Sequence, residues 1–188
     1  MLNVAIIIGS TREGRFGPVV AGWFVAQAKA HGGLELDVID LADFDLPVTL
    51  PPGLPPTPVM AGLSQRLHAA DAFVVLTPEY NRSFPASVKS VIDWHYTEWQ
   101  AKPVGLVSYG GISGGQHAAQ ALRGVFAQLH AVTLSDTISF VNPWHTFDAE
   151  GRHLDPAASE QAAKTMLGQL VWWGRALKNA KATHPYGT

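Results

Sequence analysis

The residues best placed to do chemistry stand in one polar turn, Gly9 to Gly17, reading GSTREGRFG. It brings the hydroxyls of Ser10 and Thr11 and the guanidinium groups of Arg12 and Arg15 between glycines that leave backbone N–H groups accessible. The run before it, Val4 to Ile8, is continuously apolar, which suits a strand buried on both faces of a parallel sheet. After it, Pro18 opens a stretch in which Val19, Val20, Trp23, Phe24 and Gln27 recur at helical spacing. Proline suits a first helical turn, where its missing N–H is not needed. A strand, a glycine-bounded turn and a helix N-terminus together make an anion site, because free N–H groups and the positive end of the helix dipole face the same turn. The chemistry this predicts is the binding of a phosphate.

Neighbouring nucleotide motifs narrow that phosphate. Gly9 and Gly14 have Walker spacing, but Arg15 and Phe16 follow where a Lys and a Ser or Thr are required. Without that hydroxyl there is no Mg²⁺ ligand, which argues against an NTPase. The dinucleotide pattern G-x-G-x-x-G is absent as well. A terminal phosphate monoester is what remains.

The elements that must position this turn follow in order. Leu34 to Asp40 alternates as a second strand. Residues 44–58 contain six prolines and predict an extended surface segment, since proline neither continues a helix nor donates to a ladder. Met60 to Ala70 reads as a short amphipathic helix, and Ala72 to Thr77 as a third buried strand. That strand ends in the polar loop Pro78-Glu79-Tyr80-Asn81-Arg82-Ser83-Phe84-Pro85, followed by a helix to about Trp94 in which Ser83 is a capping candidate. Pro103 to Ser108 is a fourth strand, opening into Tyr109-Gly110-Gly111-Ile112-Ser113-Gly114-Gly115 and then a helix to about His130. Val132 to Val141 contains the fifth strand, residues 142–156 form a loop, and the last helix runs from about Pro156 to Lys181.

Five repeats of strand and helix predict an α/β fold: a five-stranded parallel sheet with helices on both faces and right-handed crossovers. For five strands the flavodoxin-like order 2-1-3-4-5 is the natural arrangement, with ligands bound beyond the carboxyl ends where strands 1 and 3 part. The three unusual loops follow strands 1, 3 and 4, so this topology collects them at one mouth.

Composition limits the function classes. A chain of 188 residues with 47% hydrophobic residues predicts one domain, 1–188, with a full core. A net charge of −2 gives no reason to expect nucleic acid or an anionic membrane as partner. With no cysteine, a disulfide framework, a thiolate nucleophile and a cysteine metal site are excluded. The start, MLNVAIIIGS, lacks a basic region and runs directly into a strand, so the expectation is a soluble cytoplasmic protein without a signal peptide. The eight histidines show no metal-ligand spacing, and no metal is expected; His68, His117 and His130 fall on helices, where surface or capping roles suffice.

The segments GSTREGRFG, PEYNRSFPASVKSVIDW and SYGGISGG resemble the signatures of the NADPH-dependent FMN reductase family, which includes flavodoxin-like quinone, azo-dye and chromate reductases. The likeness covers roughly Met1 to Leu129, and its middle segment is the most specific. It implies bound FMN, NADPH or NADH as donor, a small-molecule electron acceptor, and a homodimer or homotetramer with the flavin near a subunit contact. Carried over residue by residue, Ser10, Arg12, Arg15, Phe16 and Gly17 would hold the phosphate. Pro78, Glu79, Tyr80 and Asn81 would lie along the ring and ribityl chain, and Ser108, Gly110, Gly111 and Ser113 would border the ring's other edge. Glycines suit that edge because backbone N–H groups approach it without a Cβ clash. Catalytic side chains are not implied: the hydride passes from nicotinamide to flavin and electrons then pass to the acceptor, so no side-chain acid or base is required and donor and acceptor take turns. Glu79 is read as structural or interfacial.

Other classes compete with this reading. The same three loops would serve an FMN-binding electron carrier or redox sensor, although 13 basic against 15 acidic residues is not the strongly acidic balance of a docking flavodoxin. Gly111 to Gly115 fits G-x-S-x-G, so a serine hydrolase using Ser113, with a later Asp136 or Asp148 and His145 or His153, is a third possibility; Tyr109 and Gly110 intervene between strand and turn, which weakens it. Trp94, Tyr96 and Trp99 form an aromatic group for which core packing and a subunit contact compete; the expectation is that all three lie at or beside a subunit contact, which Trp99→Ala should weaken.

Overall fold

Alternating side chains of the central strands divide the core in two. In β1 (Leu2–Ile8), Val4, Ile6 and Ile8 face one layer of helices while Ala5 and Ile7 face the other, as a period of two requires. The computed structural model describes residues 1–49 and 57–187. β1 pairs in parallel with β2 (Leu34–Asp40) on one side and β3 (Ala72–Pro78) on the other. β3 pairs with β4 (Pro103–Gly110), which pairs in turn with β5 (Val132–Thr133) and β6 (Ile138–Val141). The order is 2-1-3-4-5, and β6 takes the same edge further along.

α1 (Gly17–His31) and α6 (Ala157–Thr183) cover the first face, on which Trp23, Phe24, Met166 and Leu170 pack. α2 (Pro58–Ala69), α3 (Ala86–Asp93) and α4 (Gln116–Gln128) cover the second, through Leu63, Leu67, Val88, Val91, Leu122 and Phe126. A one-turn α5 (Pro143–Thr146) sits within the loop expected at 142–156. Among the described residues no helix is long and apolar enough to cross a membrane.

The fifth strand is broken in the middle. Leu134 turns its side chain into the core, and the carbonyls of Leu134 and Ser135 accept from the Arg123 guanidinium of α4, at 2.6 and 2.8 Å. An arginine thus satisfies backbone groups that a continuous ladder would have paired. β4 is longer than expected: Tyr109 and Gly110 belong to the strand, paired with Phe140 and Val141. Of the proline-rich segment 44–58, residues 50–56 lie outside the described residues; near its start, Pro47 O accepts from Trp94 Nε1 at 2.8 Å.

Trp99 is a correction to the interface expectation. It is fully buried, packs against Phe73 and Phe126 at ring distances of 4.7 and 5.5 Å, and donates its Nε1–H to His95 O at 2.9 Å. Tyr96, by contrast, is exposed. A buried indole needs both apolar neighbours and an acceptor, and this position supplies both.

Candidate functional site

The loops after β1, β3 and β4 meet at the carboxyl edge of the sheet. Gly9 ends β1 with its N–H on Leu76 O at 2.8 Å and its carbonyl accepting from Ser87 Oγ at 2.5 Å, which ties the first loop to β3 and α3. Beyond it, the N–H groups of Thr11, Arg12, Glu13 and Gly14 have no acceptor among the described residues. Four successive free donors ahead of a helix N-terminus form a concave nest for an anion. A cleft of about 290 Å³ adjoins it, lined by Thr11, Leu41, Phe44, Leu46 and Ser87.

The two arginines of this loop are placed differently. The Arg15 guanidinium makes a bidentate pair with Asp40 at the end of β2, at 2.6 Å on both oxygens, and also donates to Ser10 O at 2.8 Å. The hydrogen bond to Asp40 raises its pKa further. Arg12 has no carboxylate partner among the described residues; its guanidinium lies 3.6 Å over the Tyr80 ring centroid. That stack bridges the first and second loops and leaves the guanidinium edge free for an anion. Phe16 packs edge-on against Phe147 at 5.7 Å. Behind the loop the Ser10 and Tyr109 hydroxyls face one another beside Gly17, both buried and with no other partner among the described residues. A side chain at Gly17 would displace Ser10 Oγ and press on Ile8 and the Tyr109 hydroxyl, so the position favours glycine.

Glu79, just beyond β3, organises the second and third loops. Its N–H donates to Tyr109 O at 3.0 Å. Its carboxylate accepts from His117 N at 3.1 Å and from His117 Nδ1 at 3.0 Å, and the Ser113 hydroxyl also bonds to it. Burial pushes the carboxyl up, but the bonds from Ser113, the His117 ring and the His117 N–H outweigh it and hold it below the usual carboxylate range. The carboxylate therefore caps α4, where an anion is favoured. The loop leading into α4 is shaped by Gly115 at φ +84°, where a Cβ would strike the Tyr109 backbone. Ser108 Oγ donates to Gly114 O at 2.9 Å from within the sheet.

The expected site residues thus separate by position. Arg12, Tyr80, Asn81 and Gly111 lie on or at the rim of the mouth, with Glu79 and Ser113 joined just below and Gly110 buried at the end of β4. Ser10, Gly17, Pro78 and Ser108 are buried beneath it, and Arg15 and Phe16 are half-buried against Asp40 and Phe147. No histidine bonds to Ser113 among the described residues: His145 lies against Trp144, and His153 packs on Trp23, Phe140 and Phe147. The triad that a hydrolase would need is not assembled. Sequence reasoning missed His117 and Arg82, whose ring nitrogen and guanidinium meet at 2.9 Å. The available signal was the place of His117, two residues after Gly115 in the first turn of α4.

The family model for NADPH-dependent FMN reductases matches residues 2–145. The chain belongs to that family. An NAD(P)H-dependent FMN reductase of Schizosaccharomyces pombe is 35% identical over 125 residues, covering 63% of this chain and 62% of that protein, which is under two thirds of its length. A quinone reductase of Escherichia coli is 30% identical over 191 residues, covering 96% and 97%. Among solved structures, the flavoenzyme NAD(P)H:(acceptor) oxidoreductase of Paracoccus denitrificans superimposes with a TM-score of 0.76 at 22% identity, covering 94% of this chain and 98% of that one. That likeness shows the flavodoxin-like fold. Membership in the FMN reductase family names the ligands to test against the mouth. The residues fit FMN: its terminal phosphate matches a nest of four free N–H groups beside an uncompensated arginine, at the switch point between β1 and β3.

Proposed function

We propose that the chain is an FMN-dependent NAD(P)H oxidoreductase that reduces a small acceptor, such as a quinone, an azo dye, free flavin or a metal oxyanion. The observation that carries this reading is the unpaired N–H nest at Thr11 to Gly14 beside Arg12. The chemistry supplied by FMN, when bound, is the passage of a hydride equivalent from NAD(P)H and of electrons to the acceptor. The protein's share is binding and positioning. Arg12 and the nest take the phosphate; the Arg15–Asp40 pair, Phe16, Ser10 and Gly17 hold the nest in shape. Glu79, Tyr80 and Asn81, with Pro78 beneath them, line one edge of the flavin, and Gly110, Gly111 and Ser113, backed by Ser108, line the other. Glu79 is spent on capping α4 and fixing Ser113 and His117, so it serves as a structural anion and not as an acid.

On this reading the chain works in the cytoplasm, where NAD(P)H is at hand, as a homodimer or homotetramer. The purified protein is expected to be yellow, to release FMN on denaturation and to oxidise NADPH steadily with a free quinone. A colourless protein that binds no added flavin would overturn the proposal. A yellow protein that turns over no free quinone would make it an electron carrier or sensor instead.

A further inference from the structure

Arg82 stands at the tip of an unusual turn. Tyr80 and Ser83 exchange both backbone hydrogen bonds, at 2.8 and 3.1 Å, and the two residues between them, Asn81 and Arg82, have φ of +51° and +67°. Two successive left-handed residues define a tight turn that glycine normally fills, and an arginine is kept there at some cost. The strain aims its guanidinium across to α4, where Nη2 meets His117 Nε2 at 2.9 Å.

The tautomer of His117 follows from its partners. The Glu79 carboxylate can only accept, so His117 Nδ1 carries the proton it donates. The guanidinium can only donate, so Nε2 is the acceptor and the ring is neutral. A neutral ring orients Arg82 without cancelling its charge, as a carboxylate in the same place would. Four of the five N–H donors of the guanidinium have no partner among the described residues. No ion pair engages Arg82 among the described residues, whereas Arg15, Arg66 and Arg152 are each paired with a carboxylate. The mouth therefore holds two guanidinium groups without a carboxylate partner among the described residues, Arg12 on the β1 side and Arg82 toward α4.

FMN brings one phosphate, and the nest with Arg12 accounts for it. The other phosphate-bearing reactant of the proposed reaction is the dinucleotide donor. We propose that Arg82 anchors the phosphates of NAD(P)H, and that His117, fixed by Glu79 as the Nδ1–H tautomer, is the residue that positions Arg82 for them. The inference rests on the oxidoreductase reading given above and names the donor's subsite within it.

NADP⁺, which binds without reacting, is the probe, titrated calorimetrically into FMN-loaded protein. Arg82→Gln is expected to weaken NADP⁺ roughly 10-fold or more, the loss of a charge-assisted contact, while FMN affinity stays within about two-fold. The deficit should shrink at high salt, where exposed charges are screened. His117→Leu should weaken NADP⁺ by a smaller factor, and His117→Gln should restore it, because one amide can donate to Glu79 and accept from Arg82. Nitrogen chemical shifts of the His117 ring should show a protonated Nδ1 and a bare Nε2, a signature that a purely structural histidine need not give. Unchanged NADP⁺ affinity in FMN-loaded Arg82→Gln overturns the anchor, as does an equal loss of FMN, which would assign Arg82 to the flavin phosphate. A wild-type protein that takes up no FMN overturns the parent reading first and this one with it.

Discussion

Arg12 and Arg15 are three residues apart in one loop, and their surroundings give them opposite tasks. Arg15 is half-buried, and its bidentate pair with Asp40 uses the planar fork in full. Arg12 is exposed and held only by the Tyr80 face, a contact worth about 0.5–1 kcal/mol at such a site. A charge-assisted bond to a phosphate is worth about 1.5–3 kcal/mol, so the anion wins the competition for Arg12. Arg12→Ala is accordingly expected to weaken FMN roughly 10-fold, the low end of that range once the stack is deducted. Riboflavin, which has no phosphate, should bind Arg12→Ala as it binds the wild type. Parallel titrations with the two flavins read this directly, and equal weakening of both would remove Arg12 from the phosphate site. The sequence showed both arginines in the loop as candidate phosphate ligands. It did not show Asp40 as the partner of Arg15, because that contact joins residues 25 apart and exists only once β2 lies beside β1. Glu79 and His117, 38 positions apart, were hidden for the same reason.

At the scale of elements, hydrophobic pattern settled most boundaries. The uninterrupted apolar runs became β1, β3 and β4, and the alternating run became β2 at the sheet edge. Pattern failed where a polar group does structural work out of register, as Arg123 does in the break between β5 and β6. Lys102 is a second such group. It lies just before β4, at the opposite end of the sheet from the mouth, and its ammonium donates to the last carbonyls of α2, Leu67 O and His68 O, both at 2.9 Å. Burial pushes its pKa down to about 8, and the charge of Lys181 acts in the same direction. The unfolded chain keeps the ordinary lysine value of about 10.4. Between these values the unfolded state binds more protons than the folded one, so stability rises with pH. From pH 7.5 to 9.5 the gain should be of the order of 2 kcal/mol, read from urea unfolding at the two pH values. Lys102→Met should flatten most of that slope, leaving the part due to Lys181, whose pKa burial also lowers. A stability that falls with pH, or a slope the substitution leaves untouched, would show that this ammonium is not its source.

At the scale of the whole molecule, the parallel sheet divides labour between its ends. Lys102 and its partners close the amino ends of the strands, while the three loops open at the carboxyl ends on the switch between β1 and β3. The strand order was readable because five strand–helix repeats admit few unknotted arrangements. The place of Trp99 was not, because an aromatic cluster looks the same in a sequence whether it faces the core or a partner. The topology also bears on kinetics. Arg12, Tyr80 and Arg82, the rim residues of the first and second loops, gather at one mouth with the exposed Gly111 of the third. On the reading proposed above, donor and acceptor reach the flavin by this same opening, and the proposed anchor at Arg82 lies on that path. On that proposal the oxidised dinucleotide leaves before the acceptor enters. Initial rates at several fixed acceptor concentrations should therefore give parallel double-reciprocal lines, the ping-pong pattern. NADP⁺ should compete with the acceptor, since both seek the mouth of the reduced protein, and Arg82→Gln should weaken that inhibition. Intersecting lines would require donor and acceptor to be bound together, and would overturn the shared opening.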